Sequence, residues 1–274
     1  MSYNWIKGED FSINSILLMD RWILQQLIGL GDSDRYERDD EYKKLLGITL
    51  TYNPEIYWYF KNKAPESTER VEKLVKNTPK DLSHDEIRNS EIKLLEIIDS
   101  FIVYLYPEVM NANCPYIRDW DKERLLSIID FTDKVVLDVG SGTGRLAFAA
   151  AEKAKKIYAL EPSERLREYM RDKIAKDKIS NVVVLDGVIE NIPFEDNTFD
   201  IVTTAYVLGL DYEKEMANLE RVAKNGGYLV DCMGEEDFKR EGPNDHLLKA
   251  GFNWSHYASK NGGDVYRYWK KVNK

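Results

Sequence analysis

Residues 135–148 read VVLDVGSGTGRLAF, an apolar segment that enters a glycine-rich turn and leaves it as a helix. A turn of this kind brings backbone N–H groups close to a ligand, beside a helix N-terminus that favours negative charge. Gly140, Gly142 and Gly144 are spaced G-x-G-x-G. A dinucleotide fingerprint, G-x-G-x-x-G, needs glycine at 145, where Arg145 stands, and no G-K-[ST] follows to make a triphosphate loop. Glu161 closes the next apolar segment about 20 residues on, where an acid can accept from both hydroxyls of a ribose. Three glycines with that acid favour a ligand over a bare tight turn. The acid alone does not separate NAD from other nucleosides.

Outward from this turn the sequence alternates. Strands are expected at KVVLDV (134–139), KIYAL (156–160), VVVLD (182–186), FDIVTTAY (199–206) and GYLVDCM (227–233), with helices such as 144–154 and 163–175 between them. Such a series predicts a doubly wound parallel sheet. The tail departs from the rhythm: FNWSHYA and VYRYWKKV flank Asn261-Gly262-Gly263, a hairpin signal. The last strand should therefore run antiparallel. The expected fold is α/β: a Rossmann-like, seven-stranded, doubly wound sheet with an antiparallel last strand, over residues 116–274.

Residues 1–115 read instead as an α-helical N-terminal domain. SINSILLMDRWILQQLIGLG carries apolar residues at helical spacing, with Asn14 as its N-cap and Gly29 and Gly31 closing it. A charged helix is expected over 33–46, followed by the aromatic stretch GITLTYNPEIYWYF, whose state the pattern leaves open. Pro65 can open a short helix through Val75. Ser83 with Glu86 forms a capping box, and an apolar stripe then runs toward Pro107.

The 274 residues are 43% hydrophobic and 32% charged with 17 Tyr and 6 Trp, the texture of a globular protein. No apolar run approaches the ~20 residues of a membrane helix, and MSYNWIKGEDF lacks the order of a secretory signal. Cys114 and Cys232 lie far apart without CxxC spacing, so neither a disulfide framework nor a zinc site is expected and a reducing cytoplasm fits. A net charge of −9 disfavours a partner held through nucleic-acid phosphates. His84, His246 and His256 are scattered, and no metal site is expected.

VLDVGSGTGRLA, then ALEPS, then DGVIENIPFEDNTFDIV resemble the successive motifs of class I S-adenosylmethionine-dependent methyltransferases, most closely the small-molecule group. The resemblance spans residues from about 116 to the end. It implies S-adenosyl-L-methionine as cofactor, with Asp138, Gly140, Ser141, Gly142, Gly144, Glu161, Pro162, Gly187, Val188, Ile189 and Ala205 in its pocket. Asp138 corresponds to the acid near the ligand's ammonium group, or else caps the loop's own N–H groups. Glu161 corresponds to the acid on the ribose. Where the family often has Asp for the adenine amino group, this chain has Val188, leaving backbone groups of Val188 and Ile189 to hold adenine. Asp186 is the substitute, or simply ends its strand. Ile192-Pro193-Phe194 should pack the loop, and Asp200 should be structural.

The family often has His near Gly209, so the obvious general base is missing. Methyl transfer from a sulfonium is an in-line displacement with a good leaving group, so alignment and water exclusion carry most of it. A missing base suits a thiolate, carboxylate, carbanion or free amine better than an alcohol. Thr203-Thr204-Ala205-Tyr206 stands where amino-methylating nucleic-acid enzymes carry [DNS]-P-P-[YFW]. The expected acceptor is thus a small molecule. Tyr206 lines the methyl channel or packs the core; Tyr57 and Trp58 form a lid or dock the helical domain; Tyr116 and Arg118 are placed to cover the cofactor. The competing reading is a module that binds S-adenosylmethionine, or a related nucleoside, without transferring methyl. An aminopropyl transferase would want acids near the fourth strand, where Asp211 and Glu213 are the candidates.

Overall fold

In this computed structural model of the protein, residues 3, 5–29, 40–209 and 211–274 are described. The chain divides into two compact units, Met1–Tyr106 and Pro107–Lys274.

The first unit is helical. After 3-10 turns at Gly8–Asp10 and Ile13–Leu18 come α1 (Arg21–Gly29), α2 (Asp40–Tyr52), α3 (Pro54–Lys63), α4 (Thr68–Lys76), α5 (His84–Ile97) and α6 (Asp99–Ile102). The single helix expected across 12–31 is broken, because Met19 is extended (φ −79°, ψ 139°). The capping residue is Ser12 and not Asn14: its side chain accepts from the Asn14 N–H at 3.2 Å. Gly31 and residues 33–39 of the expected charged helix lie outside the described residues. The open aromatic stretch proves helical. Pro54 sits in the first turn of α3, where its missing N–H costs nothing, and Ile56 and Phe60 bury one face. Ser83 and Glu86 make both bonds of the capping box on α5, but the stripe beyond it breaks at Ile98 (φ −96°, ψ 22°).

The second unit opens with three short helices, α7 (Pro107–Asn113), α8 (Pro115–Arg118) and α9 (Glu123–Leu126). Strands β1 (Val135–Val139), β2 (Lys156–Leu160), β3 (Val182–Leu185) and β4 (Phe199–Thr204) alternate with α10 (Arg145–Ala151), α11 (Glu164–Asp177) and α12 (Tyr212–Val222). Then follow β5 (Ala223–Cys232), α13 (Asp245–Lys249), β6 (Asn253–Ala258) and β7 (Asp264–Lys271). One seven-stranded sheet results, in the order β3-β2-β1-β4-β5-β7-β6. β1 to β5 pair in parallel, while β7 runs antiparallel to both β5 and β6. This is the doubly wound sheet, with its reversed last strand, that the alternation and the Asn-Gly-Gly turn predict.

The strands read as nearly unbroken apolar runs because both faces are covered. Val136, Ile157 and Ile201 belong to a cluster with Leu146, Ala147 and Met170, while Leu137, Val139 and Val202 belong to one with Leu219 and Leu247. The strand order reverses between β1 and β4, which places a crevice at the carboxyl ends of those strands.

Phe199 is fully buried and meets Tyr158 and Phe194 edge-on, at centroid distances of 5.7 and 4.9 Å. Phe199→Ala should destabilise the protein by about 3–5 kcal/mol in urea unfolding. Trp58→Ala, at a residue 62% exposed, should change stability by no more than about 0.5 kcal/mol.

Candidate functional site

Between β1 and α10 the chain turns on three left-handed residues: Gly140 (φ 67°), Gly142 (58°) and Gly144 (89°). A β-carbon at 140 would lie 2.4 Å from Val207 Cγ2, and one at 144 would lie 2.3 Å from Phe148 Cε2. At Gly142 the same position is open space. The turn therefore needs glycine at its ends for packing, and in the middle for backbone conformation alone.

The neighbouring strand fixes this turn. Gly140 N–H and Ser141 N–H both donate to the Leu160 carbonyl, at 2.8 and 3.1 Å. Glu161, 5% exposed, accepts from Gly142 N–H at 2.8 Å through one oxygen and from Ser163 N–H at 2.9 Å through the other. Arg167 donates to the carbonyls of Glu161 and Pro162 and to Asp186 Oδ1, at 2.8, 2.6 and 3.0 Å. Of the two readings of Asp186, this ion pair supports the structural one. Thr143 donates to Asn111 Oδ1 at 2.7 Å. Asn111 belongs to α7, so a segment before the sheet is tied to the glycine turn. No sequence motif marks that residue.

Asp138 is the penultimate residue of β1 and only 2% exposed. Its Oδ1 accepts from Thr203 Oγ1 of β4 at 2.7 Å, and Ser141 Oγ donates to its carbonyl at 2.9 Å. Its Oδ2 is enclosed without a hydrogen-bond partner. Burial pushes the carboxyl up to about 6, against the opposing pull of Thr203, Ser141 and the Arg145 charge. It is thus not spent as a cap on the loop's N–H groups.

The third motif folds into a tight corner. A β-carbon on Gly187 would meet Leu160 Cδ1 at 2.6 Å, Val188 forms an antiparallel bridge to Asn191, and Ile189 is 5% exposed. Ile192 is buried and Phe194 packs on Tyr158 and Phe199, as expected of a packed loop. Asp200 accepts from Val135 N–H at 2.9 Å and from Lys224 at 2.8 Å, which is its structural role.

Beyond β4, Ala205 packs against the cluster under α10, and Tyr206 takes a left-handed conformation (φ 61°) that a bulky residue seldom adopts. Its hydroxyl accepts from Gly234 N–H at 3.0 Å and bonds Glu236, while the residue stays 38% exposed, its ring tilted against Tyr116 at 5.2 Å. Burial of the hydroxyl raises the phenol above its ordinary range. A β-carbon on Gly234 would lie 2.3 Å from the Tyr116 carbonyl. Tyr206 is therefore a held ring facing outward and not a core residue.

At the end of β5, Asp231 accepts from Thr204 Oγ1 at 2.8 Å, and burial raises its carboxyl to about 6. Glu236 pairs with Arg240 through two bonds, at 2.9 and 3.0 Å. Arg145 lies over the Trp120 ring, 4.5 Å from its centroid, and donates to the Cys232 carbonyl at 3.1 Å. Sequence reasoning missed this acid–base group, because its members sit on separate elements with no fixed spacing.

The other expected residues are elsewhere. Tyr57 and Trp58 lie on α3 in the first unit, where the Tyr57 hydroxyl accepts from Lys61 at 3.3 Å. Arg118 is tied to Asp119 at 2.7 Å. Asp211 caps α12 by accepting from Lys214 N–H, and Glu213 is exposed. Cys114 and Cys232 are both buried thiols. His246 stacks on Tyr212 and His256 pairs with Asp264. Among the described residues no group of three or more His, Cys, Asp or Glu could hold a metal ion, and no helix is long and apolar enough to cross a membrane.

The methyltransferase domain family matches residues 130–271, more than half of the chain. Over 135 residues the chain is 30% identical to a demethylmenaquinone methyltransferase of Geobacillus sp. (strain WCH70), covering 47% of this chain and 58% of that protein. An uncharacterized methyltransferase of Schizosaccharomyces pombe is 34% identical over 142 residues, covering 46% and 50%. The chain thus spans half to three-fifths of the length of these relatives. A solved S-adenosylmethionine-dependent methyltransferase from Aquifex aeolicus superposes with a TM-score of 0.48 at 23% identity, covering 61% of this chain and 98% of that one.

The buried acids set a pH dependence. A carboxyl raised from 3.8 to about 6 keeps its proton in the folded state after the unfolded chain has lost it. Stability therefore falls as pH rises through that window, by about 3 kcal/mol for one such group. Asp231 acts in the same direction. Asp138→Asn should flatten the decline between about pH 4 and 6 without abolishing it, in urea unfolding of the ligand-free protein; an unchanged slope would refute the burial account.

Proposed function

The chain belongs to the methyltransferase domain family, and on that premise we propose that it is a class I S-adenosylmethionine-dependent enzyme that methylates a small-molecule acceptor. The observation that carries this reading is the pairing of a left-handed glycine turn with two differently placed acids. Gly142 opens on empty space, Asp138 holds an enclosed carboxylate oxygen with no donor, and Glu161 ends β2 beside the turn. These features fit a ligand with an amino-acid tail and a ribose. An ammonium is the donor that Asp138 lacks, and a carboxylate such as Glu161 is the acceptor a ribose diol calls for.

The assignment of pocket residues follows the same logic. Gly140, Ser141, Gly142 and Gly144 bring the chain close to the tail, and the N-terminus of α10 favours its carboxylate. Pro162, Gly187, Val188 and Ile189 line the nucleoside end, with the apolar walls of the third motif standing in for the missing adenine acid. Ala205 and the held ring of Tyr206 border the side open to the acceptor, with Tyr116 against it. Tyr57 and Trp58 we assign to acceptor selection, with the helical unit Met1–Tyr106 as the substrate domain and Pro107–Lys274 as the methyltransferase domain.

When bound, S-adenosylmethionine supplies an electrophilic methyl on a sulfonium, so the protein has only to seat it, align the acceptor and exclude water. Asp138 and Glu161 seat it at its two polar ends. The names of the demethylmenaquinone relatives support a small organic acceptor over a macromolecule, as does the net charge of −9.

Calorimetry with S-adenosylhomocysteine tests the pocket. The wild type should bind at micromolar affinity or better, and Glu161→Ala at least tenfold more weakly, about 1.4 kcal/mol. Equal binding by the two would remove the ribose assignment. Release of S-adenosylhomocysteine across metabolite pools, lost in the same variant, tests transfer.

A further inference from the structure

The proposed reaction leaves a gap: no histidine stands in the segment just after β4, residues 205–211, and a hydroxyl acceptor must give up its proton as its oxygen takes the methyl. The carboxyl ends of β4 and β5, with the stretch of antiparallel β7 that pairs with them, hold a group of side chains that the cofactor pocket does not use. Thr204 and Asp231 are register partners on β4 and β5, and the threonine hydroxyl donates to Asp231 Oδ1 at 2.8 Å. Among the described residues no donor reaches Asp231 Oδ2. Unlike Asp138 Oδ2, this oxygen is not one of the enclosed atoms without a partner, and 5% of the residue is exposed. The remaining acid in this group, Glu236, is consumed by its two bonds to Arg240. Tyr206, whose hydroxyl is fixed by Gly234 and Glu236, presents only its ring.

We propose that Asp231 is the proton-accepting catalytic residue of this site, and that the acceptor it serves carries a hydroxyl group, alcohol or phenol, at the atom that is methylated or conjugated to it. This rests on the methyltransferase reading above. The acceptor O–H bond breaks and its proton passes to Asp231 Oδ2. The released electron pair forms the new bond to the methyl carbon, the pair of the broken sulfur–carbon bond stays on the departing thioether, and Asp231 returns the proton to solvent. The rings of Tyr206 and Tyr116 give a planar acceptor a face to lie against. An acidic aromatic thiol such as thiophenol, already largely ionised near neutral pH, has no need of this base.

The charges around Asp231 suit the role. Arg145 and Arg240 favour its ionised form, as does the hydrogen bond from Thr204 on β4; Glu236 opposes it, and burial opposes it most, leaving the group near 6. Tyr268, its register partner on β7, is held neutral by burial and accepts from Asn244 N–H. A base poised just below neutral pH combines an ionised form with useful proton affinity.

The experiment uses the full chain at saturating S-adenosylmethionine, so that titration of Asp138 drops out of kcat, with catechol, hydroquinone, benzyl alcohol and thiophenol as probe acceptors. In parallel, the Asp231 carboxyl carbon is titrated by NMR in the protein bound to S-adenosylhomocysteine. Three results are expected together. kcat for a hydroxyl probe rises with pH along the NMR titration of Asp231; Asp231→Asn lowers it at least about a hundredfold while S-adenosylhomocysteine affinity stays within twofold; Thr204→Val, which removes a donor to the carboxylate, moves both midpoints upward together. Any thiophenol methylation should survive Asp231→Asn. The proposal is overturned if Asp231→Asn keeps wild-type kcat with a hydroxyl probe, if the kcat limb ignores the Thr204→Val shift, or if only thiophenol is turned over. Failure of the wild type to bind S-adenosylhomocysteine at all would instead sink the methyltransferase reading beneath it.

Discussion

A chain leaving a buried parallel strand for a helix on the next layer has few routes, and this one takes a route open only to glycine. Gly140, Gly142 and Gly144 all lie at positive φ, a region that costs other residues about a kilocalorie or more each. Packing fills two of the three vacant side-chain positions, with Val207 over one and Phe148 over another. The third, at Gly142, stays open. The same turn thus does two opposed things: it closes the strand–helix junction at its ends and leaves bare backbone in the middle. The proposed seat for a small polar tail rests on that constraint before any side chain is considered.

Next comes the placement of acids around the turn, which depends on one strand. Thr203 and Thr204 end β4 side by side, and successive residues in a strand point to opposite faces. Thr203 reaches across to Asp138 on β1, and Thr204 reaches the other way to Asp231 on β5. Each hydroxyl donates to its own acid. Two buried carboxylates, on the strands either side of β4, are therefore held by adjacent residues. Neither sits in an ion pair that would clamp it in the charged state. Both are left near 6 by burial, in contrast to Glu236, which Arg240 neutralises.

What could be read from the sequence was whatever is local. The glycine spacing, the acid at the end of β2, the strand–helix alternation and the Asn-Gly-Gly hairpin are all encoded within a few residues of each other, and the sheet has the expected order and reversal. The capping box at Ser83 is local too. Errors arose where packing overrides pattern. A continuous apolar stripe promised one helix through Met19, but the chain extends there and splits it. The aromatic stretch at 53–60 had no clear period because only Ile56 and Phe60 face inward, while Trp58 points out.

The candidate base was illegible for a different reason. Looking for a histidine beside Gly209 assumes that proton acceptance must come from the segment after β4. The sheet brings β5 into register with β4 instead, so Thr204 in one motif and Asp231 in an apolar strand meet only once the fold exists. In the sequence Asp231 is a lone acid inside GYLVDCM, easily read as the end of a strand. A carboxylate there is costly to bury, and one hydroxyl bond does not offset the cost. Such an acid is tolerable only if it can stay protonated, or if a second partner arrives with a proton of its own. The fold supplies the first condition by raising the group's proton affinity, and a hydroxyl compound lying on the Tyr206 ring supplies the second.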